Sequence, residues 1–388
     1  MQQAGPLIAI VAGEASGDNL GAALIEAIKA RQPQARFIGV PGPRMRAAGC
    51  AELASCEELA VMGLIEILRH LPRLIALRRR LLAEFVRAGV DVFVGIDAPE
   101  FNLGLAKRMK ARGVATVQYV SPQVWAWRQG RVRGIGAACD RILCVLPFEP
   151  PFYARHGIEA TFVGHPLADQ FPLRPDRAAA RAALGVADDA ELVALLPGSR
   201  KGEVGLLAEP FLAAARLLAE QRPGLSFIVP LTNATNRQIF AAARERVAPL
   251  LPITLVEGRS REVLAAANVA LVASGTATLE TLLTRRPMVV AYRLNGFTAF
   301  LLRRLGLVKV QHFSQPNLLA ERELVPEFFQ ESATPAALAA ALRHWLETPA
   351  AAAEIEREFE RIHLQLRQDG ASLAAAAVLE LAASAAAR

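Results

Sequence analysis

The stretch LIAIVAGEASGDNLGAALIEAI, residues 7–28, decides how the rest of the chain is read. Six apolar residues run unbroken from Leu7 to Ala12 into a turn flanked by Gly13 and Gly17. Apolar positions then recur at helical spacing through Leu20, Leu24, Ile25 and Ile28. A short, wholly apolar run fits a strand covered on both faces, as in a parallel sheet, and such a strand needs a helix to return the chain. Glycine-flanked turns of this kind often hold a phosphate on the open N–H groups of the helix start. This turn instead carries two acids, Glu14 and Asp18, which a phosphate would repel.

Outward from this unit the same alternation continues. Apolar or β-branched runs recur at Phe37–Val40, Val90–Ile96, Ala115–Val120, Arg141–Leu146 and Thr161–Val163, with helical segments or turns between them. A polar, proline-punctuated stretch, GHPLADQFPLRPD (164–176), interrupts the rhythm and reads as a linker. The series restarts at Leu192–Leu196, Ser226–Pro230, Ile253–Val256, Val269–Val272 and Met288–Ala291, and from Pro335 the chain reads as helical. The expected fold class is α/β: two doubly wound, Rossmann-like parallel-sheet domains and a helical C-terminal tail. We expect domains at 1–168 and 169–345, with helices 346–388 returning to the first. In such sheets ligands bind beyond the carboxyl ends of the strands, here in a cleft that the two halves face.

Composition narrows the function. The 388 residues carry a net charge of +7, unevenly distributed. Residues 101–139 hold seven Lys/Arg and residues 281–320 hold six, with no acid in either stretch, which favours a phosphate-bearing ligand or an anionic surface. Nucleic acid is not expected, because no recognised binding motif accompanies the charge. The four cysteines, Cys50, Cys56, Cys139 and Cys144, form neither a CxxC pair nor a zinc pattern and are expected to be reduced and mostly buried. No apolar run reaches the ~18 residues of a membrane span, and no signal peptide is evident, so a cytoplasmic location is expected.

Two loops in the second half read as anion cradles. LVALLPGSRKGEVGLL (192–207) gives a strand, then Gly198, Ser199 and Arg200, then a helix, with a plain capped turn as the alternative. VALVASGTATLETLLTRRP (269–287) repeats the pattern with Ser274, Gly275, Thr276, Ala277 and Thr278. Its open N–H groups suit a diphosphate, and Glu280 suits ribose hydroxyls or simply the positive helix end. In the first half, Asp97 closes the strand in VDVFVGIDAPEFN (90–102), with Asn102 at the start of a helix; it reads as a general base or a helix cap. YVSPQVWAWRQGRVRGI (119–135) sets Ser121, Trp125 and Trp127 before three arginines, a sugar-and-phosphate grip, a membrane edge or loop packing. Between Val61 and Ala83 stand five arginines and one acid, Glu66. Met62, Leu64, Ile65, Leu68 and Arg69 of that stretch suit peripheral membrane contact over 61–72, while Leu74, Leu77, Leu81 and Phe85 suit packing on a sheet. His165, in FVGHP, reads as a loop-holding residue.

Taken together these motifs resemble the lipid A disaccharide synthase family. The resemblance rests on GEASGD (13–18), GPRM (42–45), DAP (97–99) with Phe101-Asn102, SP (121–122) with VWAW (124–127), and FVGHP (162–166). LPGSR (196–200), SGTA (274–277) with Leu279-Glu280, and Pro316-Asn317 complete it, over residues 7–330 or so. Three places depart from the pattern: Glu100 stands for aspartate, Gln123 for serine, and VQHFSQPN is divergent before Pro316-Asn317.

The resemblance implies a GT-B glycosyltransferase that moves 2,3-diacylglucosamine from UDP to the 6-hydroxyl of 2,3-diacylglucosamine 1-phosphate (lipid X), with inversion. It implies no metal and no cofactor, and work at the cytoplasmic face of the inner membrane. Asp97 becomes the general base. Glu14, Ser16, Gly17, Asp18, Asn102, Ser121, Trp125 and Trp127 become acceptor contacts, which would explain the acids in the opening turn. Gly198, Ser199, Arg200, Ser274 to Thr278, Glu280 and Asn317 become UDP contacts. A monomer, or a homodimer exchanging C-terminal regions, is implied.

Overall fold

The computed structural model describes residues 5–59, 64–127, 129–295 and 312–386, with the backbone alone at 64–70, 126, 127, 129 and 386. The chain divides into two compact units, Met1–Asp169 with Leu366–Arg388, and Gln170–Gln365. Each contains one parallel sheet with helices on its faces.

The first unit has β1 (Leu7–Ala12), β2 (Arg36–Val40), β3 (Cys50–Glu52), β4 (Val92–Ile96), β5 (Ala115–Tyr119), β6 (Arg141–Cys144) and β7 (Ala160–Phe162). They lie in the order β3-β2-β1-β4-β5-β6-β7, every described pairing parallel. The strand order therefore reverses between β1 and β4, where ligands of open α/β sheets bind. Every residue of β1 and β4 is buried, as unbroken apolar runs require. On one face Ala9, Val11 and Phe93 pack with Leu81 and Phe85 of helix Leu64–Ala88 and with Leu105 and Met109 of helix Pro99–Lys110. The helix Gly370–Ala386 packs on β4, β5 and helix Ala15–Arg31.

The second unit repeats the plan with β8 (Leu192–Leu196), β9 (Ser226–Leu231), β10 (Ile253–Glu257), β11 (Val269–Ala273), β12 (Met288–Tyr292) and β13 (Glu327–Phe329). Their order, β10-β9-β8-β11-β12-β13, reverses between β8 and β11. Helix Pro335–Glu347 buries Leu338 and Leu342 against this unit's core. The expected α/β class with two doubly wound sheets and a helical tail is what the structure contains. The pattern missed β3 and β13, three-residue edge strands too short to show alternation. It also carried the fifth strand to Val120 and the sixth to Leu146. Val120 turns left-handed at φ 69°, and β6 ends at Cys144.

Candidate functional site

Strand register assembles the first rim. Ala12 pairs with Ile96 and Ile96 with Tyr119, so Gly13, Asp97 and Val120 leave three adjacent strands side by side. The backbone there is strained: Asp97 (φ 52°), Ala98 (φ 42°) and Val120 (φ 69°) are all left-handed, a conformation unfavourable for a β-branched valine. Gly13 is required beside them, because a Cβ there would stand 2.6 Å from the Ala98 Cβ. The Asp97 backbone is tied on both sides: its N–H donates to the Tyr119 carbonyl at 2.9 Å and its own carbonyl accepts from Asn102 Nδ2 at 2.9 Å. The half-buried Asp97 carboxylate makes no hydrogen bond or ion pair among the described residues. It is a carboxylate held at the switch point without a partner among the described residues. Cluster strain of this kind gathers where function demands it.

Several expected acceptor contacts point inward instead. Asp18 is 3% exposed, and its carboxylate accepts the N–H groups of Gly42, Arg44 and Met45, all at 2.9 Å. It caps the helix Pro43–Ala47, whose Gly42 has no side chain with which to do so. Asp18 of the opening turn is therefore structural, whereas Glu14 and Ser16 are exposed. Gly17 is buried against Ala12. Asn102 is fully buried, donating to the carbonyls of Val11, Ile96 and Asp97. Ser121 is buried with its Oγ 3.0 Å from the Tyr153 hydroxyl. Trp125 sits edge-on to Phe148 and donates its indole N–H to Glu149 Oε1 at 3.2 Å. Glu149, which sequence reasoning missed, is buried at the start of the helix Glu149–Ala154, beyond β6; burial pushes its carboxyl up to about 7 against the hydrogen bonds it accepts. The exposed Glu100 pairs with Arg131 at 3.1 Å. His165 holds its loop: its Nδ1 accepts the Leu167 N–H at 3.2 Å, and burial lowers its pKa to about 4, so the ring is neutral.

In the second unit Leu196 pairs with Val272, which brings the 197–200 and 274–278 loops together at the switch point. The first loop is already occupied. Glu203 Oε2 accepts the N–H groups of Ser199 and Arg200, and its Oε1 pairs with the Arg200 guanidinium at 3.1 Å. Gly198 (φ 114°) lets that carboxylate in, since a Cβ there would lie 2.6 Å from the Glu203 Cβ. Ser199 and its neighbours are thus a capped turn, and the exposed Arg200 is what that loop offers an anion. The second loop is open. Gly275 (φ 135°) begins helix Thr276–Leu283 without a side-chain cap, and the N–H groups of Gly275, Thr276 and Ala277 meet no acceptor among the described residues. Ser274 and Thr278 brace the loop by bonding the Phe313 carbonyl and the Gln315 N–H, and Glu280 accepts from Ser260 Oγ at 3.1 Å. Asn317 is 0% exposed and closes the Leu324–Val325 turn, so its amide is not presented to a ligand.

Comparison with known proteins bears on this pair of rims. The family model described as lipid-A-disaccharide synthetase matches residues 8–381. The chain belongs to the lipid-A-disaccharide synthetase family. A lipid-A-disaccharide synthase of Alkalilimnicola ehrlichii is 54% identical over 377 residues, covering 97% of this chain and 98% of that one. Among solved structures, the glycotransferase of kitacinnamycin shares the fold with a TM-score of 0.62 at 19% identity, covering 97% of this chain and 99% of that one. The UDP-GlcNAc 2-epimerase of Neisseria meningitidis bound to UDP-GlcNAc does so at 0.60 and 12%, covering 97% and 98%.

As a lipid-A-disaccharide synthetase the chain is a glycosyltransferase, with the GT-B fold. Among the described residues, no helix is long and apolar enough to cross a membrane, and no group of three or more His, Cys, Asp or Glu is placed to hold a metal. Met62 lies outside the described residues, as do the side chains of Leu64, Ile65, Leu68, Arg69 and Trp127. Next to them on the same helix, Leu71 and Ile75 are exposed.

Proposed function

We propose that this glycosyltransferase moves 2,3-diacylglucosamine from UDP-2,3-diacylglucosamine to the 6-hydroxyl of lipid X with inversion, and that Asp97 is the general base. The unpartnered Asp97 carboxylate on its strained turn carries this reading. The acceptor's 6-hydroxyl gives its proton to Asp97 as its oxygen bonds the donor's anomeric carbon. The bond from that carbon to the diphosphate oxygen breaks on the opposite face, and its electron pair leaves with UDP. The open N–H groups of 275–277, the positive end of helix Thr276–Leu283 and Arg200 face the growing negative charge, and Glu280 takes the ribose. Glu14 and Ser16 supply the exposed acceptor contacts. The products are UDP and the β-1,6-linked disaccharide 1-phosphate. The enzyme works at the cytoplasmic face of the inner membrane, held peripherally by residues 61–72.

The test mixes the protein with UDP-2,3-diacylglucosamine and lipid X, with and without EDTA, and follows UDP and disaccharide. Lipid X-dependent, EDTA-insensitive disaccharide is expected, and Asp97→Ala should lower kcat by at least ~100-fold while UDP affinity stays unchanged. UDP release without disaccharide would overturn the acceptor assignment, and full activity in Asp97→Ala would end the role of the base.

A further inference from the structure

Gln118 is the penultimate residue of β5, almost fully buried, and no motif pointed to it. Its Nε2 lies 3.1 Å from the Asp97 carbonyl, 3.4 Å from that of Tyr119 and 3.3 Å from that of Val120. It thus spans the two strained tips, Asp97–Ala98 and Val120, and shares the Asp97 carbonyl with Asn102 Nδ2. Both amides are aimed there at a cost. Asn102 Oδ1 and Gln118 Oε1 are buried with no hydrogen-bond partner, an arrangement that an apolar side chain of similar size would avoid. Gly95 makes room for the pair: a Cβ there would meet the Asn102 Cβ at 2.7 Å and Gln118 Oε1 at 3.2 Å. Groups retained in an unfavourable state beneath a strained turn point to a demand other than stability.

We propose that Gln118 is a positioning residue of the transfer reaction, clamping the left-handed turn that aims the Asp97 carboxylate at the acceptor hydroxyl. The proposal rests on the functional reading above. A turn released by a fraction of an ångström still binds both substrates but holds the base off line, so the loss falls on kcat.

The experiment compares wild type, Gln118→Met and Gly95→Ala in the disaccharide assay. Gln118→Met keeps the bulk and removes the donor, whereas Gly95→Ala retains Gln118 but pushes both amides away. Expected for Gln118→Met is a kcat lower by about 100-fold. Its KM for both substrates should stay within about twofold, and its thermal midpoint should be unchanged or higher. Gly95→Ala should lose kcat likewise, and it supplies the answer if Gln118→Met does not fold. Wild-type kcat in a folded Gln118→Met, or in Gly95→Ala, overturns the clamp, as does a loss that only follows a fall in thermal midpoint. A wild-type protein that makes no disaccharide would instead overturn the functional reading, which separates the two failures.

Discussion

At the residue scale, Glu149 and Asp97 are carboxyl groups of the first unit with opposite surroundings: Asp97 directly follows β4, whereas Glu149 begins the helix Glu149–Ala154 beyond β6. Glu149 is 1% exposed and accepts from the Leu146 N–H at 3.0 Å and from the Trp125 indole; Asp97 is half-exposed and has no such partner. Because burial raises Glu149 from 4.5 to about 7, the folded state holds its proton more tightly than the unfolded chain does. The stability this confers is complete below pH 4.5 and disappears as pH rises through 7. Nearby Tyr153 and Cys144 are pushed upward by burial and keep their protons across this window. Wild type should therefore lose on the order of 3 kcal/mol relative to Glu149→Gln between pH 4.5 and pH 8. Urea midpoints of both proteins at the two pH values check this, and parallel pH profiles would refute it. Neither Glu149 nor Gln118 was legible in the sequence. Ser121 and Trp125 stood out through their neighbours in the chain, but the partners that turn them inward lie 24 to 32 positions away.

At the scale of elements, the opening turn shows how a loop's chemistry is reassigned by what packs beside it. Its two acids were legible, and so was their unsuitability for a phosphate. That Asp18 caps the helix Pro43–Ala47 depends on a hydrogen-bond set spanning 24 to 27 positions. Gly42 completes the fit, since a Cβ there would lie 2.5 Å from the Asp18 Cγ. Asp18→Ala would leave three N–H groups at that helix start without an acceptor and should cost roughly 2 to 4 kcal/mol. Asp18→Asn, which keeps one acceptor oxygen, should recover part of it. Denaturant melts measure both; an Asp18→Ala protein as stable as wild type but weak in acceptor binding would return Asp18 to the substrate. The same reasoning separates the two anion loops. Both read as cradles in sequence, but Glu203 fills one while the start of helix Thr276–Leu283 stays open.

At the scale of the whole molecule, each unit places its loops where the strand order reverses, and one helix, Gly370–Ala386, rejoins the first unit's sheet after the second is complete. The exposed Leu71 and Ile75 extend the basic, apolar stretch that we assign to the membrane. Replacing Leu64, Ile65 and Leu68 with serine should weaken co-sedimentation with anionic vesicles by at least ~tenfold while leaving the thermal midpoint in place. Unchanged co-sedimentation would refute that assignment, and a lowered midpoint would show that these residues belong to the core. By itself the sequence determined the α/β class, nearly every strand and the polar loops at the strand ends. Those follow from apolar periodicity and from glycine at strand ends, which are local properties of a chain. Only the tertiary structure decided which polar groups in those loops are open to a ligand. A carboxylate or an amide is available when no backbone N–H or carbonyl from a distant segment has claimed it, and that depends on strand order and register. Asp18 and Asn102 were claimed in this way, and Asn317 and Glu203 by their own loops, while among the described residues Asp97 and the N–H groups of 275–277 were not claimed.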